Sequence, residues 1–258
     1  MESWEVLLER PLALVAHPDD EALGCAVLLQ RAKNPAVIFA TDGAPAAQRF
    51  WSSYGSRRAY ADLRRQEATL ASREAGNPQV FFLCDIGRNN FTDQELFKNL
   101  NEAMAGLQRL SGEIMPGAIL THAYEGGHPD HDTCSFLSHQ LGRELMSPVW
   151  EMPLYYRDRE GAMRLGKFLS ESAEDVLLTP TPEELKHKQR MVDRYGSQHH
   201  TIRDFPLDRE RFRPQPHYDY SRPPHGGILN YEAWGWPMTG AQVAAAFSAY
   251  LQGKAVSA

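Results

Sequence analysis

Short apolar runs alternate with amphipathic segments along the first 150 residues of the chain. Each apolar run has the length of a buried strand, and the segments between them have helical periodicity or an Ala-, Arg- and Glu-rich composition. We expect strands at 12–16, 36–40, 80–84 and 118–121, and helices at 21–32, 56–75, 92–110 and 131–145. This alternation predicts an α/β fold in which helices cover both faces of a mostly parallel sheet.

The last hundred residues are less regular. Here we expect a strand at 149–156, a hairpin at 162–178, a helix at 181–195 and a closing helix at 240–252. Residues 203–237, rich in Arg, Pro, Tyr, His and Trp, are typical of an ordered loop over a functional face. Since no internal repeat is present, we predict a single domain over 1–258, with a core at about 10–200 and a C-terminal elaboration at about 200–258.

Charge and cysteine content narrow the class of protein. The 27 basic and 33 acidic residues give a net charge of −6, which argues against a nucleic-acid binder because such proteins carry a basic surface. No apolar run approaches the roughly 18 residues of a membrane span, and the N-terminus is acidic where a signal peptide is basic. Three widely spaced cysteines do not suit a disulfide framework. We therefore expect a cytoplasmic protein without a membrane span; its oligomeric state is left open, a homo-oligomer included.

Two histidine- and aspartate-rich motifs each follow a predicted strand. The sequence HPDD occupies 17–20 after the first strand, and HPDH occupies 128–131 after the fourth. In a doubly wound sheet the first and fourth strands are neighbours at the point where the strand order reverses, and ligands bind beyond the carboxyl ends of the strands there. Both motifs are therefore expected to face one crevice.

The residue types in these motifs suit a catalytic metal centre. Imidazole and carboxylate groups bind Zn²⁺, and a catalytic zinc keeps three protein ligands and one open position. His17, Asp20 and His131 form such a set, which leaves Asp19 and His128 free to move protons. For either motif alone, an ordinary helix N-terminus with acidic first-turn residues is an equally good interpretation. The presence of both motifs favours the metal.

Several other residues keep two interpretations. Asp42 either contacts substrate or forms the turn that its Asp-Gly sequence favours. Asp85 stands just past the third strand, in the position of a substrate contact. Trp234 and Trp236, with nearby tyrosines, either form a sugar-stacking wall or pack as the local core of a long loop.

The order of the motifs resembles the PIG-L/LmbE-like family of zinc-dependent N-acetyl amino-sugar deacetylases. The resemblance rests on AHPDDEALG at 16–24, TDG at 41–43, Arg64 three residues before Glu67, HPDHD at 128–132 and YGSQ at 195–198. It extends from about residue 10 to residue 200. It implies a Rossmann-like fold and the hydrolysis of an N-acetyl group from an N-acetylglucosamine-type substrate, with acetate and a free amine as products.

The resemblance also implies roles for individual residues. It makes one zinc ion per chain the expected cofactor, with another divalent metal such as Fe²⁺ as the alternative. The implied metal ligands are His17, Asp20 and His131; the implied base is Asp19; the implied acid is His128, oriented by Asp130; and the implied sugar contact is Arg64. Some relatives place a mobile tyrosine two residues before HPDH, where this chain has Gly126. Tyr124 lies close by in the sequence and is a further candidate substrate contact.

Other functions fit parts of the pattern. A dinucleotide-binding enzyme is disfavoured because carboxylates occupy the turn where a glycine-rich phosphate site would lie. A non-haem iron oxygenase also uses two histidines and a carboxylate, and metal content with oxygen dependence would distinguish it. The remaining alternatives are an amidase acting on a thiol or sugar conjugate and a non-catalytic carbohydrate-binding protein on the same scaffold.

Overall fold

The structure, a computed structural model, describes residues 3–86 and 91–257, with side chains through residue 253. Residues 1–2, 87–90 and 258 of the predicted span 1–258 lie outside the described residues. The strands are β1 (Pro11–Val15), β2 (Ala36–Phe39), β3 (Gln79–Phe82), β4 (Ala118–His122), β5 (Val149–Met152), β6 (Tyr155–Arg157), β7 (Met163–Leu165), β8 (Val176–Leu178) and β9 (Glu210–Pro214). The helices are α1 (Asp20–Gly24), α2 (Ala26–Arg31), α3 (Arg57–Glu74), α4 (Leu100–Ile114), α5 (Pro129–Leu145), α6 (Pro182–Asp193), α7 (His199–Ile202), α8 (Asn230–Ala233) and α9 (Gly240–Ser257).

A seven-stranded sheet in the order β3-β2-β1-β4-β5-β9-β8 forms the centre of the molecule. Its first five strands are parallel, while β9 is antiparallel to both of its neighbours, β5 and β8. The strand order reverses between β1 and β4, where Leu12 pairs with Ala36 on one side and Ile119 on the other. The prediction of a Rossmann-like, mostly parallel sheet is confirmed.

Helices cover both faces of this sheet, as predicted. Along β1, Leu12 and Leu14 face one apolar core, whereas Ala13 and Val15 face the other. The first core includes residues of α4, α5 and α9, and the second includes residues of α1, α2, α3 and α6. Because β1 is buried on both faces, its sequence is apolar throughout instead of alternating.

The C-terminal strands differ from the prediction. The predicted strand 149–156 is two strands, since Pro153 breaks the run and cannot donate a backbone hydrogen bond. The predicted hairpin at 162–178 is wrong: β7 pairs with β6 in a separate ribbon, and β8 pairs with β9 in the main sheet. Strand β9 lies beyond residue 200, so the main sheet continues into the segment predicted as an elaboration.

Two helix predictions also differ, and a buried carboxylate explains each difference. The predicted helix 92–110 begins at Leu100, because the Asp130 carboxylate accepts hydrogen bonds from the backbone N–H groups of Gln94 (2.6 Å) and Leu96 (3.0 Å). The predicted helix 21–32 is divided into α1 and α2, and Glu210 accepts the N–H groups that begin α2. No helix in the described ranges is long and apolar enough to cross a membrane.

Candidate active site

The two motifs meet at the carboxyl edge of the sheet, where β1 and β4 end. The chain leaves β1 through His17 and turns into α1 at Asp20, while α5 begins directly after His128 and carries His131 in its first turn. The Asp20 carboxylate lies 3.4 Å from Nδ1 of His17 and 3.3 Å from Nε2 of His131. One ligand atom from each of these three buried residues lies within 4.8 Å of the others.

The three residues fit a divalent metal ion. Nε2 of His131 is buried and has no hydrogen-bond partner among the described residues. Burial and the neighbouring His122 lower the pKa of His131 well below its ordinary value, despite the opposing effect of Asp20, so that its imidazole is neutral with a lone pair available. Two imidazole nitrogens and a carboxylate oxygen are ligands for zinc and similar ions.

Asp93 lies in the site, although the sequence analysis placed it in a helix. Its Oδ1 lies 3.3 Å from Nε2 of His17 and 3.3 Å from Nε2 of His128. The residue is buried, and Asp130 accepts the backbone N–H groups of Gln94 and Leu96, which follow it in the chain. It belongs to a second group of potential ligand atoms within 4.8 Å, formed by His17, Asp93, His128 and Asp130. No local motif marks Asp93 in the sequence.

His128 is oriented by the backbone of Asp130. The N–H of Asp130 donates to Nδ1 of His128 (3.1 Å), which assigns the ring proton to Nε2, the nitrogen that faces Asp93. The Asp130 carboxylate lies farther from Nδ1 (3.9 Å) and instead contacts Nε2 of His17 at 3.3 Å. A carboxylate in this position fixes the orientation of a ligating histidine.

Asp19 has an unusual backbone and a buried carboxylate. Its φ of 133° lies in a region that non-glycine residues rarely adopt, and such strain occurs mostly at functional sites. Both terminal nitrogens of Arg64 donate to Oδ2 of Asp19, at 3.3 and 3.2 Å. Burial raises the pKa of Asp19 to about 7, although Arg64 opposes this shift. A carboxylate with this pKa can accept and release a proton near neutral pH.

Arg64, predicted to contact sugar, is 2% exposed and faces Asp19. Gly43 of the TDG sequence makes this approach feasible. Its φ is +63°, and a Cβ at this position would lie 2.9 Å from Nε of Arg64. The glycine is therefore needed both for the backbone turn and for the space that the guanidinium occupies.

The YGSQ sequence supports this region from the far end of the chain. The Tyr195 hydroxyl donates to Glu21, which in turn accepts the backbone N–H of Asp19 at 3.2 Å. Ser197 donates from its hydroxyl (2.6 Å) and its backbone N–H (2.8 Å) to Glu67 of α3, one turn from Arg64. Both partners of the Asp19–Arg64 ion pair are thus held by this network.

Asp42 and Asp85, both predicted to contact substrate, line a pocket of about 400 Å³ that begins beside Pro18. Asp42 is paired with Arg57, and Asp85 accepts two hydrogen bonds from Arg65, at 2.8 and 2.7 Å. The pocket wall is therefore polar, and these opposite charges are paired.

Tyr124, also predicted to contact substrate, does not lie against the candidate metal ligands. Its hydroxyl donates to the carbonyl of Arg222 (2.7 Å), and its ring packs against Tyr218 and Tyr220 in the core.

Of the two predicted tryptophans, Trp236 lies edge-on to His128 with ring centroids 4.9 Å apart, and Trp234 contacts Trp236 at 5.1 Å. The aromatic residues of 203–237 thus divide between a core and the rim of the site.

Tyr155 also reaches the site, although the sequence marks it only as part of the predicted strand 149–156. Its ring centroid lies 5.2 Å from that of His131. Burial raises the pKa of Tyr155 well above its ordinary value, and the charges of His17, Asp20 and Asp19 act on it as well. Its hydroxyl is therefore a neutral donor near the metal residues.

Comparisons with known proteins agree with this site. A family profile described as "PIG-L: GlcNAc-PI de-N-acetylase" matches residues 12–141. The chain is 29% identical over 132 residues to a probable N-acetyl-alpha-D-glucosaminyl L-malate deacetylase 2 of Bacillus subtilis (strain 168), a match that covers 49% of this chain and 57% of the relative. The chain thus matches little more than half the length of that protein.

Solved structures share the fold at low sequence identity. A deacetylase in the biosynthesis pathway of teicoplanin superposes with a TM-score of 0.63 and 19% identity, over 81% of this chain and 99% of that one. The N,N'-diacetylchitobiose deacetylase of Pyrococcus horikoshii gives 0.53 and 16%, over 77% and 74%. Because the family profile matches half of the sequence and includes both histidine-aspartate motifs, the chain belongs to the PIG-L family of deacetylases.

Proposed function

We propose that this protein is a metal-dependent N-deacetylase that hydrolyses the acetamide of an N-acetylglucosamine-type sugar or glycoconjugate. The observation that carries the proposal is the convergence of His17, Asp20 and His131, with Asp19 and His128 beside them. Family membership supports the same reaction, and the Bacillus subtilis relative is named for an N-acetylglucosaminyl substrate.

The proposed cofactor is one divalent ion per chain, zinc first, held by His17, Asp20 and His131. Bound there, it would polarise the acetyl carbonyl and lower the pKa of a water molecule toward neutrality. The Asp130 carboxylate fixes the His17 ring from its other nitrogen. Fe²⁺ is the alternative, and metal analysis of protein purified without added metal distinguishes the two.

Proton transfer is assigned to the two unligated members of the motifs. Asp19 takes a proton from the attacking water, and Arg64 favours the ionised form of its carboxylate and orients it. Asp19 then passes this proton to the nitrogen as the C–N bond breaks, and His128, whose Nε2–H faces Asp93, assists this acid step as a hydrogen-bond donor. The products are acetate and the free amine.

The polar pocket beside Pro18 is the proposed sugar subsite. Asp42 and Asp85 offer carboxylate oxygens to hydroxyl groups, and their arginine partners offer N–H donors. Arg64 stays a proposed sugar contact only through the second N–H of each terminal nitrogen, since one N–H of each already bonds Asp19.

The test is acetate release from a panel of N-acetylated amino sugars, with and without a chelator, followed by zinc add-back. We expect activity that the chelator removes and zinc restores. His131→Ala should lose the metal and the activity, whereas His139→Ala should lose neither. His139 is the matched control, because it lies on the same helix α5 and bonds Gln215 outside the site.

Three outcomes would contradict the proposal. Sugar binding without acetate release indicates a carbohydrate-binding protein. Cleavage of a thiol conjugate without deacetylation of any sugar indicates the amidase alternative. Full activity in a chelated, metal-free protein would remove the metal centre from the mechanism.

A further inference from the structure

A tyrosine from strand β6 enters the candidate active site. Tyr155 follows the end of β5 by three residues, and its ring packs edge-on against His131 at an interplanar angle of 67°. Within the described part of the chain its hydroxyl has no hydrogen-bond partner. A donor without a protein partner beside a candidate metal ligand is available to a substrate.

The two glycines before HPDH make room for this strand. A Cβ at Gly127 would lie 1.8 Å from the carbonyl oxygen of Tyr155, so any side chain there would push β6 away from the site. Gly126 has a φ of +73°, and Asn230 donates from its backbone N–H to the carbonyl of Gly126 (2.9 Å) and from its side-chain amide to the carbonyl of Gly127 (3.2 Å). The loop that precedes α5 therefore contributes space, and β6 contributes the aromatic side chain.

Three neighbouring donor side chains already bond protein acceptors. Arg64 bonds Asp19, the hydroxyl of Tyr195 bonds Glu21, and the hydroxyl of Tyr124 bonds a carbonyl in the core. Tyr155 therefore differs from the neighbouring donors in having a neutral O–H that is free to bond a ligand.

We infer that Tyr155 is a catalytic residue of the proposed deacetylation, and that its phenol donates a hydrogen bond to the acetyl oxygen as negative charge develops there. The inference rests on the proposed function. No proton leaves the phenol in this role; the water proton goes to Asp19, which passes it to the departing amine.

The surroundings of Tyr155 favour such a role. Its ring also packs against Phe205 and Trp234, with ring centroids at 6.0 and 6.2 Å, and these contacts restrict its motion. A fixed donor in a site from which apolar groups exclude water stabilises developing charge more strongly than a mobile one. Removing one such donor typically lowers kcat by about 10²- to 10³-fold.

The test compares three tyrosine-to-phenylalanine variants that keep the ring and remove one hydroxyl. Tyr156→Phe is the matched control, because Tyr156 is the next residue in β6 and its hydroxyl bonds the carbonyl of Phe168 away from the site. Tyr124→Phe tests the alternative tyrosine. We expect Tyr155→Phe alone to lower kcat by about 10- to 10³-fold with little change in KM, metal content or melting temperature.

A second measurement is the affinity for a phosphonamidate analogue of N-acetylglucosamine, whose charged tetrahedral phosphorus mimics the hydrolysing acetamide. Tyr155→Phe should weaken this binding by a factor similar to its loss in kcat, while binding of the amine product stays unchanged. An active wild type with equal kcat in Tyr155→Phe, or equal losses in Tyr155→Phe and Tyr156→Phe, would overturn the inference. A wild type that releases no acetate would instead overturn the proposed function, and analogue affinity would still decide whether the phenol contacts the acyl group.

Discussion

The two sides of the crevice are built from different chemistry. On one side, called here the charged side, Asp19, Arg64 and Glu21 are buried and bonded to one another or to the YGSQ sequence. On the other, called the aromatic side, Tyr155 and Trp236 place rings against the two histidines of HPDH.

The charged side is expected to affect reactivity and Trp236 to affect substrate binding, whereas the phenol of Tyr155 is the one group of the aromatic side inferred to affect reactivity. Buried charges shift one another's pKa, and the charged side therefore sets the protonation state of Asp19, the proposed base. The aromatic side supplies neutral rings, which stack on sugars or apolar groups and exclude water. Changes on the charged side are accordingly expected to alter kcat, and changes at Trp236 to alter KM.

The largest effect is expected at Asp19. Asp19→Asn should lower kcat by about 10²- to 10⁴-fold while the metal content is unchanged, because only proton abstraction is lost. Asp20→Asn should lower metal content instead, since it removes a ligand. Metal analysis and kinetics of both variants provide the check, and exchanged phenotypes would show that the neighbouring carboxylates have opposite roles.

A smaller effect on kcat/KM is expected for Arg64→Ala, and it should be visible in the pH dependence of kcat/KM. Arg64 lowers the pKa of Asp19, so Arg64→Ala should raise that pKa and move the acid limb of kcat/KM to higher pH. Asp19 can act as the proposed base only when it is ionised. The loss of kcat/KM in Arg64→Ala, about 10-fold or more at neutral pH, should therefore grow as the pH falls.

The control for Arg64 is its neighbour Arg65, which pairs with Asp85 at the pocket. Arg65→Ala should leave the acid limb where it is. A loss in Arg64→Ala that occurs with N-acetylglucosamine and is absent with a simple acetamide would assign Arg64 to the sugar and contradict its assignment to the charged side.

A still smaller effect is expected on the aromatic side. Trp236→Ala should raise KM by about 5- to 10-fold, corresponding to about 1 kcal/mol of ring contact, for glycosides with an apolar aglycone. Free N-acetylglucosamine should be affected less, and kcat should change little with either substrate. A fall in kcat with unchanged KM would mean that Trp236 positions His128 and does not bind substrate.

The smallest effect is expected at the rim of the polar pocket. Arg57 and Asp42 form a partly exposed ion pair, and such pairs contribute about 0.2–1 kcal/mol to stability. Arg57→Ala should therefore lower the free energy of unfolding by no more than this and raise KM a few-fold for sugars only. A loss of metal in this variant would show that the pocket and the metal centre are not separable.

Local spacing predicted the central part of the site. HPDD and HPDH each place their ligands within one turn of a helix start, and the α/β alternation predicted that both would reach the same edge of the sheet. The prediction of a helix at 92–110 was wrong at its start for a long-range reason. Asp130, more than 30 residues later, accepts hydrogen bonds from the backbone N–H groups of Gln94 and Leu96. These bonds replace the predicted first turns of the helix, and the neighbouring Asp93 lies in the site.

The sequence by itself determined the sheet, the family and the candidate metal ligands, because each is encoded by short-range periodicity or by residues three positions apart. The tertiary structure alone decided that Arg64 faces Asp19, that Tyr124 turns into the core and that Tyr155 takes a position at the site. These placements depend on contacts such as Gly43 with Arg64 and Gly127 with Tyr155, which join residues 21 or more positions apart. No local pattern carries that information, because the partner that makes the contact is defined only once the chain has packed.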